Sequence, residues 1–175
     1  MLEEMAAFFE KRLAGYDDHM IHDIDGAEEF YPFTASVLPM QPCARVLDLG
    51  CGTGLELEWY FKRNPSAEVM GIDLSAGMLR ELQKKFSDKK ISCIQGSYFE
   101  VPFGRGFDAA ISVESLHHFT KQQKVLLYRK LCAAIKTGGW FVLTDYFAVS
   151  EEEEHRFRQE LQRIKEENQI VDGRF

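Results

Sequence analysis

The sequence predicts an α/β fold in which a mainly parallel sheet is covered by helices on both faces. Three observations predict it. From Arg45 onward, short apolar runs alternate with stretches whose apolar residues recur at helical spacing. Glycines mark the changeovers, most densely in "VLDLGCGTG", where Gly50, Gly52 and Gly54 occupy alternate positions. The 175 residues, 45% hydrophobic and 28% charged, suit one globular domain with a sizeable core.

The elements follow in order. Met5, Phe8, Phe9 and Leu13 recur at helical spacing, so residues 3–14 read as an amphipathic helix ended by Gly15. The polar and aromatic stretch "YDDHMIHDIDGAEEFYPF" reads as a loop leading into a short helix around Phe33–Leu38, with Pro32 near its start. Pro39 and Pro42 then break the chain. "RVLDL" is a first strand and "LELEWYFKR" a helix, whose aromatic residues Trp59, Tyr60 and Phe61 are expected in the core. "EVMGIDL" is a second strand. Ser75 then caps a helix with Met78, Leu79, Leu82 and Phe86 in one stripe. "ISCIQ" and "FDAAISV" are the third and fourth strands. Lys121–Lys136 reads as a helix with Leu127, Leu131 and Ile135 on one face, ended by Gly138 and Gly139. "WFVLTDYF" is a fifth strand that places Trp140 in the core. Glu151–Glu154 opens a last helix with Phe157, Leu161 and Ile164 as a thin stripe, its carboxylates at the positive end of the helix dipole. Residues 1–40 form an N-terminal helical part, 41–150 a core and 151–175 a terminal helix, in a single domain overall.

Composition excludes some partners. A formal net charge of −7 argues against a broad nucleic-acid footprint, which needs a basic stripe. Cys43, Cys51, Cys93 and Cys132 are widely spaced and read as reduced, mostly buried thiols of a cytoplasmic protein rather than metal ligands. No metal site is expected. The N-terminus has no apolar signal core, and no stretch nears the ~20 apolar residues of a membrane span.

Glycine has the most backbone entropy to lose, so three of them at a strand-to-helix turn imply a need for missing side chains. Such a turn lets a ligand approach the backbone and leaves helix amides free to donate. In parallel sheets ligands bind beyond the carboxyl ends of the strands, and this turn lies at such an end. The spacing departs from the dinucleotide fingerprint G-x-G-x-x-G, because Gly54 comes one residue early and Leu55 takes the last place. About twenty residues on, Asp73 ends the second strand, where an acid can accept from both ribose hydroxyls of an adenosine. Gly96, Ser97 and Tyr98 follow the third strand, and "VESLHHF" follows the fourth.

With these five motifs in order over Arg45–Tyr146, the sequence resembles the class I S-adenosylmethionine-dependent methyltransferases, most nearly the small-molecule branch close to the ubiquinone-biosynthesis enzymes. The resemblance implies a Rossmann-like three-layer αβα sandwich, with an N-terminal lid over residues 1–40. The family sheet has seven strands with the last antiparallel, and this chain is expected to lack the last two. Its fifth strand would then be an exposed edge through which a homo-oligomer could form. By resemblance, Asp48, Gly50, Gly52 and Gly54, with Cys51 in the same turn, surround the methionine part of S-adenosylmethionine. Asp73 takes the ribose, and Leu74 and Met78 border the adenine. Gly96, Ser97 and Tyr98 lie along the adenine edge, and Val113 and Glu114 near the sulfonium. Tyr16, in a "YD" pair of the lid, reaches the cofactor. Ser97 stands where the family usually has an acid, so its hold on the adenine amino group lacks charge assistance.

The activity implied is in-line methyl transfer to a small-molecule acceptor, leaving S-adenosylhomocysteine. Alignment and exclusion of water can carry such a displacement, and a base is needed only where the acceptor must lose a proton. His117 and His118 are the candidate bases, set against a role in shaping the pocket. A non-catalytic S-adenosylmethionine-binding module is the alternative of a different class, and a nicotinamide-dependent oxidoreductase is disfavoured by the glycine spacing. RNA methylation is disfavoured by acidity and by "SVES" in place of an Asn/Asp-Pro-Pro-Tyr/Phe motif.

Overall fold

In the computed structural model, residues 9–167 are described. Met5 and Phe8 of the first stripe, the end of the chain and the side chains of Leu161 and Ile164 lie outside what is described. After helical residues 9–12, the elements are α1 (Tyr16–His22), α2 (Ala27–Ser36), β1 (Arg45–Leu49), α3 (Leu55–Arg63), β2 (Glu68–Asp73) and α4 (Ala76–Lys85). Then follow β3 (Lys90–Gln95), β4 (Phe107–Val113), a 3-10 turn (Leu116–His118), α5 (Lys121–Ala134), β5 (Ile135–Thr144) and α6 (Glu151–Glu167).

The strands form one parallel sheet in the order β3-β2-β1-β4-β5. The order reverses beside β1, so the crevice between the ends of β1 and β4 is where such a sheet takes ligands. Because side chains alternate along a strand, Val46 faces one core and Leu47 and Leu49 the other. The first core packs Leu57, Tyr60 and Phe61 of α3 and Leu79 and Leu82 of α4 against Val46, Val69 and Ile111. The second packs Leu127 and Leu131 of α5 against Leu47, Ile72 and Ala110. This is the three-layer sandwich that the pattern predicts.

Four expectations are corrected. The stretch after Gly15 is two helices, not a loop and a short helix. Pro32 sits inside α2 at a cost of one helical hydrogen bond, which burial of Ala27, Tyr31, Thr34 and Ala35 on the same helix offsets. Trp59 and Trp140 are half-exposed rather than core, at 42% and 43%. Trp59 lies under Lys62, and Trp140 donates its indole N–H to the Val37 carbonyl at 3.0 Å. Among the cysteines only Cys51 is buried, and all four thiols are free.

The fourth correction concerns Gly138 and Gly139, which do not end α5. The helix passes directly into β5 at Ile135, because Ile135 pairs with Phe107. The next register pair is Ala109 with Trp140, so β5 carries extra residues opposite one short step of β4. Gly138 sits there at φ +84 in open space, while a Cβ on Gly139 would stand 2.5 Å from the Asp108 carbonyl oxygen. Gly138→Ala is expected to cost about 1–2 kcal/mol from backbone strain alone. Gly139→Ala is expected to cost more, because a backbone carbonyl of β4 must shift. Urea midpoints of the two variants check this, and equal costs would remove the crowding argument.

Candidate functional site

The carboxyl ends of β1, β2 and β4 meet around a cavity of about 60 Å³. Gly50, Gly52, Asp73, Leu74, Met78, Ser97, Tyr98, Val113, Glu114 and His118 line it, joined by Tyr16 of the N-terminal segment. Eleven residues separated by up to about a hundred positions in sequence are thus brought to one place. Sequence reasoning missed three further lining residues, Phe9, Ser115 and Phe119. Phe9 was visible only as part of an apolar stripe, and Ser115 directly follows a chosen position.

The three glycines of the turn have three different reasons. All have left-handed backbone, with φ of +73, +47 and +77 at Gly50, Gly52 and Gly54. A Cβ on Gly50 would meet Ser115 Oγ at 2.3 Å, and that hydroxyl bonds Tyr98 Oη at 3.0 Å. Among the described residues, a Cβ on Gly52 would meet Tyr16 alone, at 3.8 Å, so its face opens to the cavity. Gly54 lies outside the cavity wall and packs against Phe86, Leu82 and Leu57, which lets α3 start close to α4.

Asp73 holds this turn in place. Its Oδ2 accepts the Gly52 N–H at 3.0 Å, and its Oδ1 accepts the Ser75 N–H at 2.8 Å. Burial raises its carboxyl above the ordinary value, although the amides of Ser75, Gly52 and Leu74 favour the anion. One carboxylate therefore joins the glycine turn, the end of β2 and the start of α4, and it also borders the cavity.

Asp48, Cys51 and Gly96 are placed away from the cavity wall. Strand alternation turns Asp48 onto the face covered by α3, where it is 1% exposed beside Glu56. Asp48 Oδ2 and Glu56 Oε1 are buried without a donor from another residue. Burial, then the Glu56 charge and hydrogen bond, push the Asp48 carboxyl well above the ordinary range, and burial raises Glu56 as well, which favours a proton held between the two acids. Cys51 points its sulfur at Gly71, where a Cβ would lie 2.7 Å away. Gly96 has a Cβ position 2.7 Å from Val101, which makes it a packing position.

A second cavity of about 610 Å³ adjoins the first and shares Phe9, Tyr16, Glu114 and His118 with it. His117, absent from the first, lines this one together with Tyr146. Glu114 has φ +50, a costly angle for a residue with a side chain, held by its N–H bond to the Thr144 carbonyl at 2.8 Å. Burial and the Asp145 charge push its carboxyl up to about 7. Burial, then the His117 charge, push His118 down to about 4.

The N-terminal segment is tied over the site by two acids that the sequence did not single out. Glu10 accepts from Ser75 Oγ at 2.7 Å, from the Gly77 N–H at 3.0 Å and from Arg80 at 3.0 Å, at the positive end of α4. Asp17 accepts from Thr53 Oγ1 at 2.5 Å and from Lys85 at 2.7 Å.

Residues 46–139 match the family described as a methyltransferase domain. Over 153 residues the chain is 30% identical to the 18S rRNA (guanine(1575)-N(7))-methyltransferase of Saccharomyces cerevisiae, covering 75% of this chain and 53% of that protein. Over 101 residues it is 29% identical to the malonyl-acyl-carrier-protein O-methyltransferase of Priestia megaterium, covering 58% of this chain and 36% of that protein. The chain thus spans about half, or less, of the length of these relatives. Among solved structures, the DhpI–SAM–HEP complex is similar with a TM-score of 0.70 at 21% identity, over 89% of this chain and 70% of that one. The shared feature is the fold.

The Asp48–Glu56 pair generates a pH prediction. Both carboxyls have raised folded pKa values, so their stabilising contribution is full below the ordinary carboxylate value of about 4. It is lost as pH rises through the folded values. Glu56→Gln removes one of the two acids and is expected to become more stable relative to the unmutated chain as pH rises. Denaturant midpoints at about pH 5 and about pH 8 check it. A gap that does not widen would show that the pair shares no proton.

Proposed function

The chain belongs to the methyltransferase-domain family, and from that premise we propose that it transfers a methyl group from S-adenosylmethionine to a small-molecule acceptor. The observation that carries the reading is the common wall of the two cavities, Glu114 and His118 with Phe9 and Tyr16. One cavity is shaped for the donor and the other has room for an acceptor within reach of it.

The residues fit the donor. Gly52 offers open backbone, Asp73 a carboxylate, and Leu74 and Met78 apolar surface beside Ser97 and Tyr98. Asp73 holds the ribose hydroxyls, and Glu114 faces the cationic centre. When bound, S-adenosylmethionine supplies a methyl group already activated on a sulfonium. The protein's part is to align the acceptor, exclude water and, for an acceptor bearing a proton, receive that proton.

The N-terminal segment is a lid in this reading. A cavity of about 60 Å³ is far smaller than the ~300 Å³ or more of an ordinary small-ligand site, so Phe9 and Tyr16 withdraw to admit the donor. Glu10 and Asp17 restore the closed position. A small acceptor is favoured by the size of the second cavity and by the net charge of −7. RNA is the second reading, because a relative covering 75% of this chain is named an rRNA methyltransferase. Transfer of a labelled methyl group to a metabolite panel, compared with total RNA, separates the two.

Two outcomes test the donor site. Asp73→Asn keeps the shape but loses a charged acceptor, worth about 1.5–3 kcal/mol per hydrogen bond, so calorimetric affinity should fall at least about tenfold. Unchanged affinity in the folded variant would move the ribose elsewhere. Glu114 titrates near 7, and only its anion attracts a sulfonium. Affinity for S-adenosylmethionine should therefore rise with pH through about 7, while that for neutral-sulfur S-adenosylhomocysteine changes less. Glu114→Gln should flatten the difference, and a persistent slope would implicate another group.

A further inference from the structure

Asp145, just beyond β5, has a side chain only 2% exposed and accepts four hydrogen bonds. Its Oδ2 takes the Leu116 N–H at 2.7 Å and the His117 N–H at 3.0 Å. Its Oδ1 takes the Tyr146 N–H at 2.9 Å and meets His117 Nδ1 at 2.5 Å. The two backbone bonds to Oδ2 pin the 3-10 turn after β4 to the end of β5, so the imidazole is held on a fixed base. Burial alone would raise the Asp145 carboxyl. The bond and charge of His117 and the amides of Tyr146 and Leu116 hold it below its ordinary value instead. It is therefore an anion and can only accept.

An anionic partner at Nδ1 requires that Nδ1 carry the proton. In the neutral form of such an imidazole the lone pair is on Nε2, the other ring nitrogen of a side chain that lines the cavity of about 610 Å³. Among the described residues no carboxylate hydrogen-bonds to His118, and burial, which pushes it down to about 4, makes it a poor proton acceptor near neutrality. Glu114, His117 and Asp145 also place donor atoms within 4.8 Å of one another, as a cation site would. However, Nδ1 and both Asp145 oxygens are already committed to protein hydrogen bonds, which favours a proton-handling pair.

We propose that His117 Nε2 is the proton acceptor for a hydroxyl, amine or thiol held in the larger cavity, and that Asp145 is the positioning residue that sets its tautomer. This rests on the transferase reading above. The acceptor atom forms its bond to the methyl carbon as the carbon–sulfur bond breaks with its electron pair going to sulfur. The acceptor's proton passes to Nε2. The products are the methylated acceptor, a neutral thioether and an imidazolium that Asp145 stabilises.

The test reads the imidazole directly, so it needs no known acceptor. Nitrogen-15 spectra of the full chain at about pH 8, where an ordinary imidazole is neutral, are expected to show His117 protonated at Nδ1. Carbethoxylation of His117 by diethyl pyrocarbonate, followed by peptide mass, is expected to slow at least about tenfold in Asp145→Asn and to recover in part in Asp145→Glu. An Nε2-protonated His117 in the unmutated chain overturns the proposal even if the variants fail to fold. Equal modification rates in folded Asp145→Asn overturn it too, as does stoichiometric binding of added zinc that removes the Nδ1–H signal. Calorimetry with S-adenosylmethionine on the same samples separates the premise. No binding, with the Nδ1–H tautomer intact, counts against the transferase reading and leaves the His117–Asp145 pair standing.

Discussion

The site depends on one carboxylate that bonds across a turn. Asp73 takes the N–H of Gly52 with one oxygen and that of Ser75 with the other. Those two amides belong to loops that follow different strands, so the bonds set the glycine turn and the start of α4 relative to each other. Three left-handed glycines at alternate positions give this turn more backbone freedom than residues with side chains would allow. Charge-assisted bonds to a buried anion are about twice as strong as neutral ones, which suits a single residue to this task. The same carboxylate also borders the cavity.

Electrostatics around this centre are arranged in two layers. Beneath the turn, Asp48 and Glu56 are both buried, and burial raises both carboxyls above their ordinary values. Above it, Glu10 and Asp17 are placed where cations and helix amides meet them, and they tie the N-terminal segment down. The upper ties are solvent-accessible and individually weak. The lower pair is closed in by α3. The buried pair and the more accessible ties therefore lie on opposite sides of the turn.

The strand end opposite the turn carries the remaining chemistry. Glu114 adopts a costly backbone angle there, and Asp145 binds the turn that carries His117 and His118. The two cavities share one wall at this strand end. The family and the fold are held in common with the relatives. The acceptor is what distinguishes members, because those relatives carry names as different as an rRNA and an acyl-carrier-protein methyltransferase.

The sequence by itself determined the strands, the parallel sheet, the glycine turn and most of the cavity wall. Apolar period, caps and turn residues are local signals, and β1, α3, β4 and the Ser75 cap are written in them residue by residue. It did not determine how α5 joins β5, because pairing of Ile135 with Phe107 is a contact between distant segments. Nor did it separate Asp73 from Asp48, since both are acids at strand ends. Only the sheet decided that one faces the cavity and the other the helix behind it. Asp145 and Glu10 were invisible for the same reason. Each is an ordinary surface-type residue in sequence, and it gains its role from partners 28 to 70 positions away that only the tertiary structure brings within hydrogen-bond distance.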